Sequence, residues 1–237
     1  GISGSFRSRW SSYILEEQWS GLDPEVKRAV KEALTDVLGC AVAGVGTKVA
    51  SIARAFSYRM WGAGNSTVIL SSEKLSPPGA AWVNATLANA LDIDDGHRLT
   101  KGHPGAIVFP AVWAISENKG LSGAEFLTAL LIGYEIGIRT GIIAHQLRPE
   151  YHCTGPWGAV GAAAGGARAS GLDSFRLVNA LGIAEYFAPY SPMMRCIAVP
   201  SMVKDGIGWG SMAGVVRLVW VTGIPPSVDS EEAVEVI

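Results

Sequence analysis

The sequence predicts an all-α fold, a compact multi-helix domain built around tightly packed Ala/Gly-rich helices. Three observations carry this. Apolar residues recur at helical spacing, or Ala and Leu dominate, over 24–44, 49–61, 77–95, 104–118, 122–144, 156–170, 173–188 and 206–222. Most of these segments are bounded by recognisable capping residues. Only Thr67–Leu70, TVIL, has the composition of a strand.

Residues 1–21 are read as an N-terminal segment with a first short helix; GISGSFRSRW has two arginines but no apolar stretch behind them, unlike a signal peptide. The helical domain is placed at 22–224. Asp23 before Pro24, with Glu25 in the first turn, starts its first helix, and Gly62 stops the second. The segment 77–95 is expected to run as one helix to a stop at Gly96. Pro104 opens the next helix and Gly120 closes it. Ser122 with Glu125 forms a capping-box pattern ahead of 122–144. Within that helix FLTALLIGYEIGIRTGIIA, 126–144, is apolar enough to raise the question of a membrane span, but Glu135 and Arg139 near its middle favour a buried helix. Gly158–Gly171, GAVGAAAGGARASG, has almost no side chain to bury, so its neighbours must approach its backbone closely. Asp173 and Ser174 start the next helix after the stop at Gly171, and 206–222 ends at Gly223. Residues 225–237, with paired prolines and then acidic residues, are read as a linker or the truncated start of a second domain.

A net charge of −2 and a pI near 6.1 exclude a basic field for nucleic acid or an anionic membrane, leaving a small molecule or another protein as partner. Three cysteines, Cys40, Cys153 and Cys196, form neither a disulfide framework nor a zinc pattern and fit a reducing compartment, the cytoplasm or, in a eukaryote, the mitochondrial matrix. Eight tryptophans and 49% hydrophobic residues exceed what one compact domain needs to hide, so some apolar surface should meet another domain or subunit.

Against a charged content of 17%, the stretch LDIDDGHRLTKGHPG, 91–105, is anomalous. On a helix through 77–95, Asp92 and Asp95 share a face and Asp94 points elsewhere. His103 then sits immediately before Pro104, where free amides and the helix dipole favour an anion such as a substrate carboxylate. The arrangement recurs at YHCTGPWGA, with His152 and Thr154 ahead of Pro156. Lys204, among the glycines of PSMVKDGIGWG, is a third candidate. Each also fits a plainer role: a solvated helix end with Asp92, Asp95 and Arg98, histidines that only cap, and a Lys204–Asp205 pair in a surface loop. A metal is disfavoured, because His97 and His103 lack the i, i+4 spacing of a helical zinc pair.

The blocks LANALDIDDGHR, GHPGAIVFPAVWAISENKGLSGAEFLTALLIGYEIGIR, HCTGPWGAVGAAAGGARASGLDSFRLVNALGIA and SMVKDGIGWGSMAG, in this order and spacing, resemble the MmgE/PrpD family from about Leu22 to Pro226. The resemblance implies a large helical domain joined to a smaller α+β domain, which this sequence lacks, and commonly a homodimer. It implies a lyase that needs no metal or organic cofactor and abstracts a proton next to a carboxylate of a small di- or tricarboxylate. A dehydratase of the 2-methylcitrate type is expected first, with an iminodisuccinate-type epimerase or a cis-aconitate-type decarboxylase as alternatives. A truncated, non-catalytic helical module is a further one.

Carried over by position, it makes Asp92, His103, His152 and Lys204 catalytic and assigns substrate binding to Asp95, His97, Gly102, Thr154 and Gly155. His103 would move the proton, because an imidazole titrates near neutrality. Asp92 would orient it or Lys204, and His152 would bind or protonate substrate. Two departures put the substrate in question: Gly96 stands where many members have Thr, and HCTGP where many read HPTGT. The family's second domain also supplies a tyrosine, so this chain would hold part of the site.

Overall fold

A computed structural model describes residues 4–200 and 203–222. It is helical, as the pattern predicts: α1 (Gly4–Glu16), α2 (Pro24–Gly44), α3 (Lys48–Trp61), α4 (Pro77–Ala88), α5 (Pro104–Lys119), α6 (Gly123–Leu147), α7 (Gly155–Ser170), α8 (Ser174–Tyr186) and α9 (Ile207–Thr222). The expected caps are used. Asp23 accepts from the Glu25 amide at 2.8 Å, Asp173 from the Arg176 amide at 2.8 Å, and Ser122 and Glu125 close a reciprocal capping box. Gly62, Gly120 and Gly171 take positive φ at helix ends. The stop at Gly223 and the segment 225–237 lie outside the described residues.

Helix α7 is the axis, buried along nearly its whole length, with α5, α6, α8 and α9 packed around it. The absence of side chains permits this. A Cβ on Gly161 would lie 2.7 Å from the Gly133 carbonyl oxygen and 2.8 Å from the Gly137 Cα, so α6 and α7 touch backbone to backbone there. By length and composition α6 could cross a bilayer; here its face through Ala129, Gly133 and Gly137 is buried, and Glu135 and Arg139 pair at 2.8 Å on a more exposed side. Phe56, Trp61, Trp82 and Trp209 join α3, α4 and α9 in one edge-on and tilted aromatic cluster. That cluster absorbs part of the tryptophan excess.

Two expectations are corrected. The strand is Ala63–Thr67, paired antiparallel with Lys74–Leu75, and not Thr67–Leu70. Val68 and Ile69 are buried, but the backbone around them bonds to a side chain: Asn84 donates to the Thr67 carbonyl at 2.9 Å and accepts from the Ile69 amide at 3.0 Å. Leu70, at φ 51°, then turns the chain. The helix expected over 77–95 stops at Ala88, and Asp92 at φ 58° adopts the left-handed conformation that an Asp tolerates better than most side chains. Gly96 therefore ends no helix.

Candidate functional site

The early end of α4 reverses the expected roles of the aspartates. Asn89, just past the helix, turns its amide nitrogen onto Asp92 Oδ1 at 3.3 Å and onto both oxygens of Asp94 at 3.0 and 3.1 Å. Asp94, expected to point elsewhere, has a fully buried side chain 3.3 Å from His103 Nδ1. Asp92 is 66% exposed, with Oδ1 3.6 Å from His103 Nε2. Asp95 leaves this pair and turns to the start of α5.

There Asp95 takes the place foreseen for a substrate anion. Both its oxygens accept from the Gly105 amide, at 3.0 and 2.9 Å, so the protein's own carboxylate caps α5. Burial raises its pKa to about 6, against the Gly105 amide and the Tyr134 hydroxyl, which pull it down. Tyr134, half-buried with its hydroxyl fully enclosed, is pushed well above the ordinary tyrosine value by desolvation and then by the Asp95 charge. The start of α7 is likewise taken: the Thr154 amide donates to Asp205 Oδ1 at 2.9 Å. The positive potential expected from two open helix starts is thus largely answered internally.

His103 Nδ1 faces two acceptors, the Asp95 carbonyl at 3.1 Å and Asp94 Oδ2. Since both accept, the network assigns the proton to Nδ1 and leaves the Nε2 lone pair on the Asp92 side. A neutral base at Nε2 becomes an imidazolium flanked by carboxylates at each nitrogen. Burial raises the Asp94 pKa, outweighing the lowering by His103 and Asn89. Asp92, Asp94 and His103 offer ligand atoms within 4.8 Å of one another, close enough for a cation. The Asn89 amide, however, already donates to both carboxylates, taking up acceptor capacity that a cation would need.

Lys204, with φ 63°, sends Nζ to the Ala90 carbonyl at 3.3 Å, linking the start of α9 to the Asp92 loop. It borders a cleft of about 390 Å³ lined also by Cys153, Tyr190, Arg195, Cys196 and Trp209. The three cysteines are free. Desolvation first, then Asp205 and Asp92, raise the Cys196 thiol.

Asp92, His103, Thr154 and Lys204 are therefore joined through direct contacts and short loops; the Thr154 hydroxyl accepts from the His103 amide at 3.3 Å. His152 stands apart. Its ring is fully buried and stacks on His145 at 4.0 Å, with Nδ1 on the Cys153 carbonyl at 3.0 Å and no partner at Nε2 among the described residues. Desolvation and His152 lower the His145 pKa. His97 Nδ1 turns to Thr100 Oγ1 of its own loop at 3.2 Å. Gly102 and Gly155 serve close packing: a Cβ on the first would lie 2.5 Å from Thr154 Oγ1, and one on the second 2.3 Å from the Pro189 carbonyl oxygen.

Sequence reasoning missed Asn89, Asp205, Tyr134 and His145 and misdirected Asp94. Asp205 was visible beside Lys204 but fitted a surface pair; Tyr134 and His145 sit in an apolar helix whose pattern flags neither.

The MmgE/PrpD N-terminal domain model matches residues 8–216. The cis-aconitate decarboxylase of Aspergillus terreus is 29% identical over 220 residues, covering 86% of this chain and 44% of that protein. The cis-aconitate decarboxylase of Homo sapiens is 29% identical over 173 residues, covering 69% and 35%. The cis-aconitate decarboxylase-like protein oryM of Aspergillus oryzae is 27% identical over 191 residues, covering 76% and 40%. The chain spans less than half the length of these relatives. A family match over most of the sequence, on the helical fold expected for its N-terminal domain, places this chain in the MmgE/PrpD family.

Proposed function

We propose that the chain is the acid/base-bearing helical part of a lyase that removes carbon dioxide from cis-aconitate or a close unsaturated polycarboxylate. The dehydratase expected first from the resemblance yields to decarboxylation because the curated relatives are cis-aconitate decarboxylases or decarboxylase-like. The observation that carries an acid/base role is the pair of acceptors on His103 Nδ1, which leaves Nε2 as the exchangeable position.

In this reading the bond to one carboxylate breaks, carbon dioxide leaves, and the bonding pair passes into the adjacent unsaturated system. One proton must then reach carbon. His103 gives it from Nε2 as an imidazolium and regains it from solvent, with Asp92 on the Nε2 side and Asp94 on the Nδ1 side of the ring. Lys204 offers a cation for a remaining carboxylate. Thr154, the Asp95-capped start of α5 and the loop carrying His97 and Gly102 support these groups rather than meeting the substrate anion, and His152 acts from behind the site. The residues that complete the site come from outside this chain, and a second copy is the expected assembly partner.

The test is turnover by the complete gene product of cis-aconitate, 2-methylcitrate, citrate and iminodisuccinate, followed by NMR. Carbon dioxide release from cis-aconitate supports the proposal. An alkene from 2-methylcitrate, or solvent deuterium in inverted iminodisuccinate, would replace it with dehydration or epimerisation.

A further inference from the structure

We propose that Asp205 is a positioning residue of this site, a carboxylate that sets the placement of Lys204 relative to His103 by joining the starts of α5, α7 and α9. The inference rests on the reading of His103 and Lys204 as working groups.

Three donors converge on Asp205. Oδ1 accepts from the Thr154 amide at 2.9 Å and the Gly206 amide at 2.6 Å, and Oδ2 accepts from the Thr154 hydroxyl at 2.6 Å. The hydroxyl bond fixes the direction of donation toward His103. Its proton committed to Asp205, the Thr154 oxygen presents lone pairs, and the His103 amide donates to it at 3.3 Å. Asp205 thus reaches the backbone of His103 through one hydroxyl.

On the other side is Lys204, whose φ of 63° is unfavourable for a residue with a side chain. Two anchors hold that conformation. The Lys204 amide donates to the Cys196 carbonyl at 3.1 Å, and the Asp205–Gly206 bond fixes the chain beyond it. Because Asp205 is occupied by Thr154 and Gly206, the neighbouring ammonium goes to the Ala90 carbonyl, at the mouth of the Asp92 loop. The polar circuit then closes, from Lys204 through the Asp92 loop to His103, Thr154 and Asp205. A plain helix cap would need only the amides. The hydroxyl bond, which points to His103, is the additional element.

The experiment uses the complete gene product with cis-aconitate as substrate and compares Asp205→Asn, Thr154→Val, Thr154→Ser and the Asp205→Asn/Thr154→Val double variant. Asn keeps the acceptor for the two amides but presents N–H to Thr154, so it reverses the hydroxyl without removing the cap. The expected result is a fall in kcat of about tenfold or more for Asp205→Asn and for Thr154→Val, a double variant no worse than the poorer single one, and recovery of most of the loss by Thr154→Ser. Losses that multiply, or a kcat and KM for Asp205→Asn within twofold of wild type, overturn it. Should Asp205→Asn fail to fold, equal losses for Thr154→Val and Thr154→Ser overturn it instead. If the wild type does not turn over cis-aconitate, the reading of the activity has failed, and amide hydrogen exchange decides the clamp separately. Asp205→Asn should then speed exchange at His103, and unchanged exchange there refutes the clamp.

Discussion

Replacing Asp95 by Asn should stabilise the protein at neutral pH. The buried carboxylate is driven from 3.8 to about 6, chiefly by desolvation. At about 1.4 kcal/mol per pH unit, folding around the ionised group is about 3 kcal/mol less favourable than around the protonated one. The sign is set by proton uptake. Between 3.8 and about 6 the native state binds the proton and the unfolded chain does not, so this group's contribution to stability is present below 3.8 and lost as pH rises through about 6. Asn carries no charge and keeps an acceptor for the Gly105 amide. Asp95→Asn is therefore expected to gain about 1–3 kcal/mol at pH 7.5, a rise in Tm of several degrees, and almost nothing near pH 4. Urea denaturation of wild type and variant at half-unit pH steps measures the gap, in which titrations shared by both proteins cancel unless coupled to Asp95. Asp94, also raised by burial, is so coupled and broadens the transition without changing its direction. A variant less stable than wild type at pH 7.5, or a gap constant from pH 4 to 7, would refute the reasoning and mark Asp95 as a stabilising charged cap.

Gly161→Ala should lower stability by about 1–3 kcal/mol, because its Cβ meets the backbone of α6, which cannot rotate away as a side chain would; thermal melts check this. His103→Gln should lower kcat by about 10²–10⁴-fold in the complete gene product with Tm little changed, and turnover left intact would remove the central assignment. Asp94→Asn should cost less than His103→Gln in the same assay, since the Asp95 carbonyl still holds Nδ1. A strong chelator should leave turnover unchanged, with the Asn89 amide already donating to Asp92 and Asp94; activity lost to chelation and restored by a divalent ion would instead make Asp92, Asp94 and His103 a metal centre.

The helices were legible because local physics and tertiary packing agree. Asp23, Ser122 and Asp173 cap as their types dictate, and the Ala/Gly run of α7 announces close backbone contact before any partner is known. The misreading of 77–95 has one local cause. Helical periodicity continues through ANALDID, but Asn89 finds better acceptors in Asp92 and Asp94 than a further helical turn offers, and the chain leaves the helix at Ala88. No pattern in the sequence measures that competition. The strand failed similarly, since Asn84 supplies from α4 the hydrogen bonds that a partner strand would have given.

The same competition explains how the site is assembled. Two helix starts that would attract anions are filled by Asp95 and Asp205, and each of these residues also touches the environment of His103, one through its carbonyl and the other through Thr154. Internal carboxylates at those positions hold α5, α7 and α9 in register whether or not substrate is present, which is the condition for a preorganised site. Lys204, whose ammonium rests only on a backbone carbonyl among its described contacts, can then meet a carboxylate without first breaking an ion pair.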